Sequence, residues 1–77
     1  MELGKAFGQV LKRHRLEAGF SQEELAFRAD MHSTTISLYE RGGRQPSLHT
    51  VFILARVLEL QPANVVAEVQ ELKPDLP

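Results

Sequence analysis

Residues 21–42 read SQEELAFRADMHSTTISLYERG, and this stretch decides the fold. Ser21-Gln22-Glu23-Glu24 is a capping box, in which the Ser21 hydroxyl can accept from the Glu24 amide while the Glu24 carboxylate returns to the Ser21 amide. It predicts a helix over 22–29. Asp30-Met31-His32 is a three-residue break, after which Ser33 can cap a helix over 34–40 that Gly42-Gly43 ends. Two short helices joined in this way form a helix-turn-helix. Ala26 is small enough to let them cross steeply, and Leu25, Ile36 and Tyr39 are placed to fill the wedge between them.

The flanks supply three more helices. Upstream, Leu3, Phe7, Val10, Leu11, His14 and Ala18 fall within an arc of about 100° at 100° per residue, so 3–18 reads as a helix with Gly19 at its left-handed end. Gly4 and Gly8 weaken its first turns by about 1 kcal/mol each relative to Ala, and nothing in the sequence accounts for them. Downstream, Ser47 caps a helix over 48–59 whose Leu48, Val51, Leu54, Ala55 and Leu58 share a face, and Pro62 opens another over 62–72. No period-2 alternation, repeat or low-complexity run interrupts the series. The expected fold is all-α: one compact five-helix domain over 3–72, with a short tail, 73–77, that Pro74 and Pro77 keep from being helical.

Size and composition narrow the function. A chain of 77 residues buries only about 60% of its unfolded surface, so an enclosed active site would consume its core. With no cysteine there is neither a disulfide framework nor a thiolate zinc site. The N-terminus lacks the apolar stretch of an export signal, and nothing approaches the roughly 20 apolar residues of a membrane span; the chain is expected in the cytoplasm, without a membrane partner. The formal charge is −1, with a slight positive excess in residues 1–46, which hold seven basic and six acidic groups.

The helix after the break divides by angle. Counting 100° per residue from Ser33, Ser37, Thr34 and Leu38 fall at about 40°, 100° and 140°, whereas Tyr39, Ile36 and Glu40 fall at about 240°, 300° and 340°. One face is core and the other small and polar. Hydroxyls beside one projecting apolar side chain suit a DNA major groove, where Ser and Thr bond several base edges and Leu meets a thymine methyl. A solvated surface helix has the same composition, so the wider pattern decides.

That pattern includes the R-x-x-x-G-x-S-Q-E-E-L-A block (Arg15, Gly19, Ser21 to Ala26), the T-I-S-x-x-E-R-G block (Thr35, Ile36, Ser37, Glu40, Arg41, Gly42), and the P-S-L and L-A-x-x-L runs (Pro46 to Leu48, Leu54 to Leu58). Over about residues 4–70 the chain resembles the XRE, or lambda-repressor-like, helix-turn-helix family. The resemblance implies that Ser33, Thr34, Ser37 and Leu38 face bases, that Gln22 and Arg41 contact DNA phosphates, and that Arg15 and Glu40 form a salt bridge from the first helix to the third. Independently, Gln22 opens a helix whose amides favour an anionic oxygen, and Arg15 and Glu40 lie at the edges of their helices' core faces. Two positions depart from the family. Asp30 stands where Gly is usual, and Leu38 is apolar where a long polar side chain often reads bases.

Other candidate chemistry is sparse. His14, His32 and His49 lack the spacing of a metal site. His14 falls in the first helix's apolar arc as a packing residue, and His32, in the turn, suits either a phosphate or solvent. Ser21, Ser33 and Ser47 are accounted for as caps, and there is no nucleophile elbow. Arg44 and Gln45, beyond the Gly42-Gly43 hinge, are placed to follow the DNA backbone. The expectation is therefore no enzyme, no cofactor, no metal and no small-molecule ligand. The expected function is sequence-specific binding of double-stranded DNA by a transcriptional regulator; the rival is an antitoxin or adaptor using the same fold on a protein partner. Ile53 and Val57, at about 140° and 180° from Leu48, fall on the expected wet side of the fourth helix and mark a homodimer contact.

Overall fold

A computed structural model describes residues 1–76; Pro77, read as part of the tail, lies outside the described residues. Among the described residues the chain forms five helices, α1 (Leu3–Glu17), α2 (Gln22–Ala29), α3 (Ser33–Arg41), α4 (Leu48–Val57) and α5 (Pro62–Glu71). Their core draws on every helix: Ala6, Phe7, Val10 and Leu11 from α1, Leu25 and Ala26 from α2, Ile36 and Tyr39 from α3, Leu54 and Ala55 from α4, and Val65 and Val69 from α5. Leu25, Ile36 and Leu54 are completely buried. The wedge between α2 and α3 is filled as its residues predict.

The caps agree in part. The Ser21 hydroxyl accepts from the Glu24 amide at 3.0 Å, but the Glu24 carboxylate turns to Arg28, 3.4 Å away, so only half of the capping box forms. Ser47 caps α4 through the Thr50 amide at 3.1 Å. Ser33 is not a cap. The helix starts one residue earlier than expected, with His32 in the N-cap position and no side-chain bond to the first turn.

Four helix ends close in the same way. The backbone turns left-handed at Gly19, Asp30, Gly42 and Glu59, and the next amide reaches back to the last turn, as from Met31 to the Ala26 carbonyl at 2.8 Å. Asp30 holds this geometry at φ 56°, ψ 48°, beside carbonyls whose dipoles disfavour a carboxylate. Asp30→Gly should therefore stabilise the fold by about 0.5–1 kcal/mol, raising the melting midpoint by several degrees. A lower midpoint would show that the Asp30 side chain contributes more than its backbone costs.

The fourth helix corrects the sequence reading. Leu48, expected in the core, is exposed, as is Phe52, whereas Ile53 and Val57 are half-buried and pack against the core. α4 is apolar almost all the way round, so spacing alone does not identify its wet side. Contacts with α2 and α5 set its rotation, leaving Leu48, His49, Phe52 and Arg56 outermost. Ala18, counted in the first helix's apolar arc, likewise falls beyond α1 and is exposed.

α3 lies against α1 so closely that Gly8 has no room for a side chain. A Cβ there would stand 2.4 Å from the Tyr39 carbonyl oxygen and 2.6 Å from that of Glu40. The rings of Phe7 and Tyr39 meet edge to face beside this crossing, with centroids 6.2 Å apart. The tail doubles back, Asp75 donating its amide to the Met1 carbonyl at 2.7 Å.

Candidate nucleic-acid interface

The base of α3 is held by a buried polar network. Arg15 grips Glu40 with two bonds, Nε to Oε2 at 2.6 Å and Nη2 to Oε1 at 3.0 Å, the side chains being only 8% and 3% exposed. Its remaining arm donates from Nη1 to the Phe20 carbonyl at 2.9 Å, directly before the Ser21 cap. Gln22 donates from Nε2 to Glu40 Oε1 at 3.0 Å. One guanidinium thus ties α1 to the start of α2 and the end of α3. Hydrogen bonding to Glu40 raises the Arg15 pKa, burial opposes the rise, and the Glu40 charge adds to it, so the arginine stays charged. The pair of Arg15 with Glu40 is the one the family resemblance implies, whereas the bond from Gln22 was not expected. The Gln22 amide nitrogen has a second N–H beyond the one given to Glu40.

Opposite this network the predicted face of α3 is open. Thr34 is exposed, and Ser33, Ser37 and Leu38 are half-buried on the side away from Ile36 and Tyr39. Leu38 stands over Gly43, its Cδ2 about one van der Waals contact from where a side chain there would begin. Unlike α2 and α4, α3 begins without a side-chain cap, so its first amides are left to solvent or to a ligand. Arg41 is exposed, its Nε resting 3.3 Å from the Ser37 carbonyl, and Arg44 is exposed in the α3–α4 loop without an ion pair among the described residues.

Charge distribution sharpens this face. Between Met31 and Leu58 the chain carries one carboxylate, Glu40, and that one is buried on Arg15. Arg41 and Arg44 therefore act with no exposed acid from the same segment beside them. Other basic residues are engaged elsewhere: Arg28 stacks on the Phe20 ring at 4.6 Å, and Arg13 pairs with Glu68. His14 is not merely a packing residue; its Nε2 lies 2.6 Å from Glu68 Oε2, joining α1 to α5. The acid-free run was visible in the sequence, which also put Glu40 at the edge of the core face; its near-complete enclosure was not visible there.

A rigidly seated helix with a polar outer face, flanked by unpaired arginines, defines a helix-turn-helix DNA-binding module. The family described as Helix-turn-helix matches residues 11–64, and the chain belongs to it as a DNA-binding transcriptional regulator. The control protein C.BamHI of Bacillus amyloliquefaciens is 41% identical over 61 residues, 78% of this chain and 75% of that one. The crystal structure of the restriction-modification controller protein C.AhdI from Aeromonas hydrophila is 35% identical, covering 80% of this chain and 94% of that one, with a TM-score of 0.78. That of the clp gene regulator ClgR from C. glutamicum is 25% identical over 94% of each chain, with a TM-score of 0.87. No single helix among the described residues is long and apolar enough to cross a membrane.

Proposed function

We propose that the chain is a sequence-specific, cytoplasmic regulator that lays α3 in the major groove of double-stranded DNA and catalyses no reaction. The observation that carries this reading is the open face of α3 within a segment whose one carboxylate is buried against Arg15. Thr34, Ser33, Ser37 and Leu38 read base edges, and Gln22, Arg41 and Arg44 hold the phosphates on either side. A helix of nine residues reads few base pairs, so the regulator acts as a homodimer on two half-sites about 34–36 Å apart. Similarity to proteins named as control or controller proteins supports a role in transcription control.

The two kinds of contact give opposite signatures. Arg41→Ala and Arg44→Ala should weaken binding to all duplexes alike, each lowering the salt slope by about 1, because a phosphate contact acts through counterion release. Thr34→Ala and Leu38→Ala should instead change preference at particular base pairs, by about 1–3 kcal/mol at each. Binding titrations against a panel of duplexes at several salt concentrations separate the two. Unchanged preference in both α3 variants would reject this orientation of the helix.

A further inference from the structure

We infer that Lys5 is a further contact to DNA phosphates, which the first turn of α1 delivers to the C-terminal edge of the α3 face, beside Arg41 and Arg44. This rests on the reading of α3 given above and adds to it a residue from outside the helix-turn-helix.

The placement follows from three glycines. Gly42 turns left-handed at φ 76° to end α3, and a side chain on it would begin 2.5 Å from Lys5 Cγ, 2.9 Å from Lys5 Cα and 3.1 Å from the Lys5 amide nitrogen. The stem and main chain of Lys5 therefore fill the space that a Cβ would need. Gly4, the residue before Lys5, is buried, and a side chain there would begin 3.3 Å from both the Gly42 carbonyl oxygen and Gln45 Cγ. The start of α1 is thus seated against the loop that carries Arg44. On the residue after Gly42, a side chain at Gly43 would begin 3.5 Å from Leu38 Cδ2. One glycine pair therefore touches Lys5 with its first member and the base-facing Leu38 with its second.

Lys5 is exposed although Gly4 and Ala6 on either side of it are buried, so its ammonium leaves the packed turn for solvent. Among the described residues it makes no ion pair; Glu2, earlier in the same turn, does not reach it, and Glu40 is enclosed with Arg15. Arg41 and Arg44 are exposed as well. Three cations free of carboxylate partners around one turn give the local positive potential that attracts a phosphate backbone. An ammonium on a flexible stem suits a point contact with one phosphate, and a stem already packed on Gly42 has less freedom to lose when it binds.

Fluorescence anisotropy with a labelled duplex of mixed sequence, titrated at several salt concentrations, tests this. Lys5→Gln keeps a polar stem and removes the charge. It should lower the salt slope by about 1 for each copy bound, so that the affinity lost between 50 and 200 mM salt is about three- to four-fold smaller per copy. Across the duplex panel described above its base preference should match the parent's, and it should melt with the parent because Lys5 is exposed. Lys5→Arg should restore the parental slope, and Lys73→Gln, in the tail beyond α5, should leave it unchanged. A parental slope in Lys5→Gln, while Arg41→Ala and Arg44→Ala each lower theirs, overturns this contact alone. A slope lowered equally by Lys73→Gln reports net charge rather than position and also overturns it. If none of the Arg41, Arg44 and Lys5 variants lowers the slope, the phosphate-facing reading of this edge falls, and Lys5 with it.

Discussion

Arg15→Ala should cost about 3–5 kcal/mol of stability, because it leaves the Glu40 carboxylate buried without its counter-charge. The loss is expected to be this large because Arg15 and Glu40 are almost wholly enclosed, unlike an exposed pair worth a few tenths of a kcal/mol. It also strips the Phe20 carbonyl of its donor. A domain of this size has about 4–12 kcal/mol in total, so thermal melting should fall by more than about 12 °C. Glu40→Ala should behave alike, leaving a buried guanidinium. The double variant Arg15→Met with Glu40→Leu should recover part of the loss, since no charge is then stranded, while the unpaired Phe20 carbonyl and released Gln22 keep recovery incomplete. Single variants that melt with the parent would place the pair in solvent.

Gly8→Ala should destabilise by about 3 kcal/mol although alanine is the better helix former. The added methyl would sit within 3 Å of three backbone atoms of Tyr39 and Glu40. Backbone cannot rotate aside as a side chain can, so α1 and α3 must separate, loosening both the Phe7–Tyr39 contact and the grip of Arg15. Gly4→Ala provides the contrast. Its methyl would meet the flexible Gln45 side chain and the Gly42 carbonyl at 3.3 Å, and the stability should change by no more than about 1 kcal/mol. Urea titrations of the two variants side by side check this; equal midpoints would mean that the close approach at Gly8 has little energetic weight.

These two glycines show where sequence reading stops. Periodicity, caps and turn residues locate all five helices to within about two residues, because those signals are local. The closeness of α1 to α3 is a property of the packed pair, and in the sequence it leaves only two unexplained glycines four residues apart. Similarly, the rotation of α4 depends on which neighbours it meets, and a helix apolar on every side carries no internal mark of its wet face. The ion pair of Arg15 with Glu40 was legible through the family resemblance, with support from the place of both residues at the edges of amphipathic faces. The bond from His14 to Glu68, across 54 residues, had no such marker. The polar face of α3 was legible throughout: the same 100° arithmetic that misplaced Leu48 places Ser33, Thr34, Ser37 and Leu38 correctly, since α3 is strongly two-sided.

The most direct measurement is selection of bound duplexes from a randomised pool, carried out with the parent chain and repeated with Thr34→Ala and Leu38→Ala. The parent should enrich a defined motif of two related half-sites, with affinity that falls steeply as salt rises, and each variant should shift the motif at particular base pairs while leaving its spacing unchanged. No enrichment even at low salt, or one motif shared by all three chains, would contradict the assignment of α3 as the element that reads DNA.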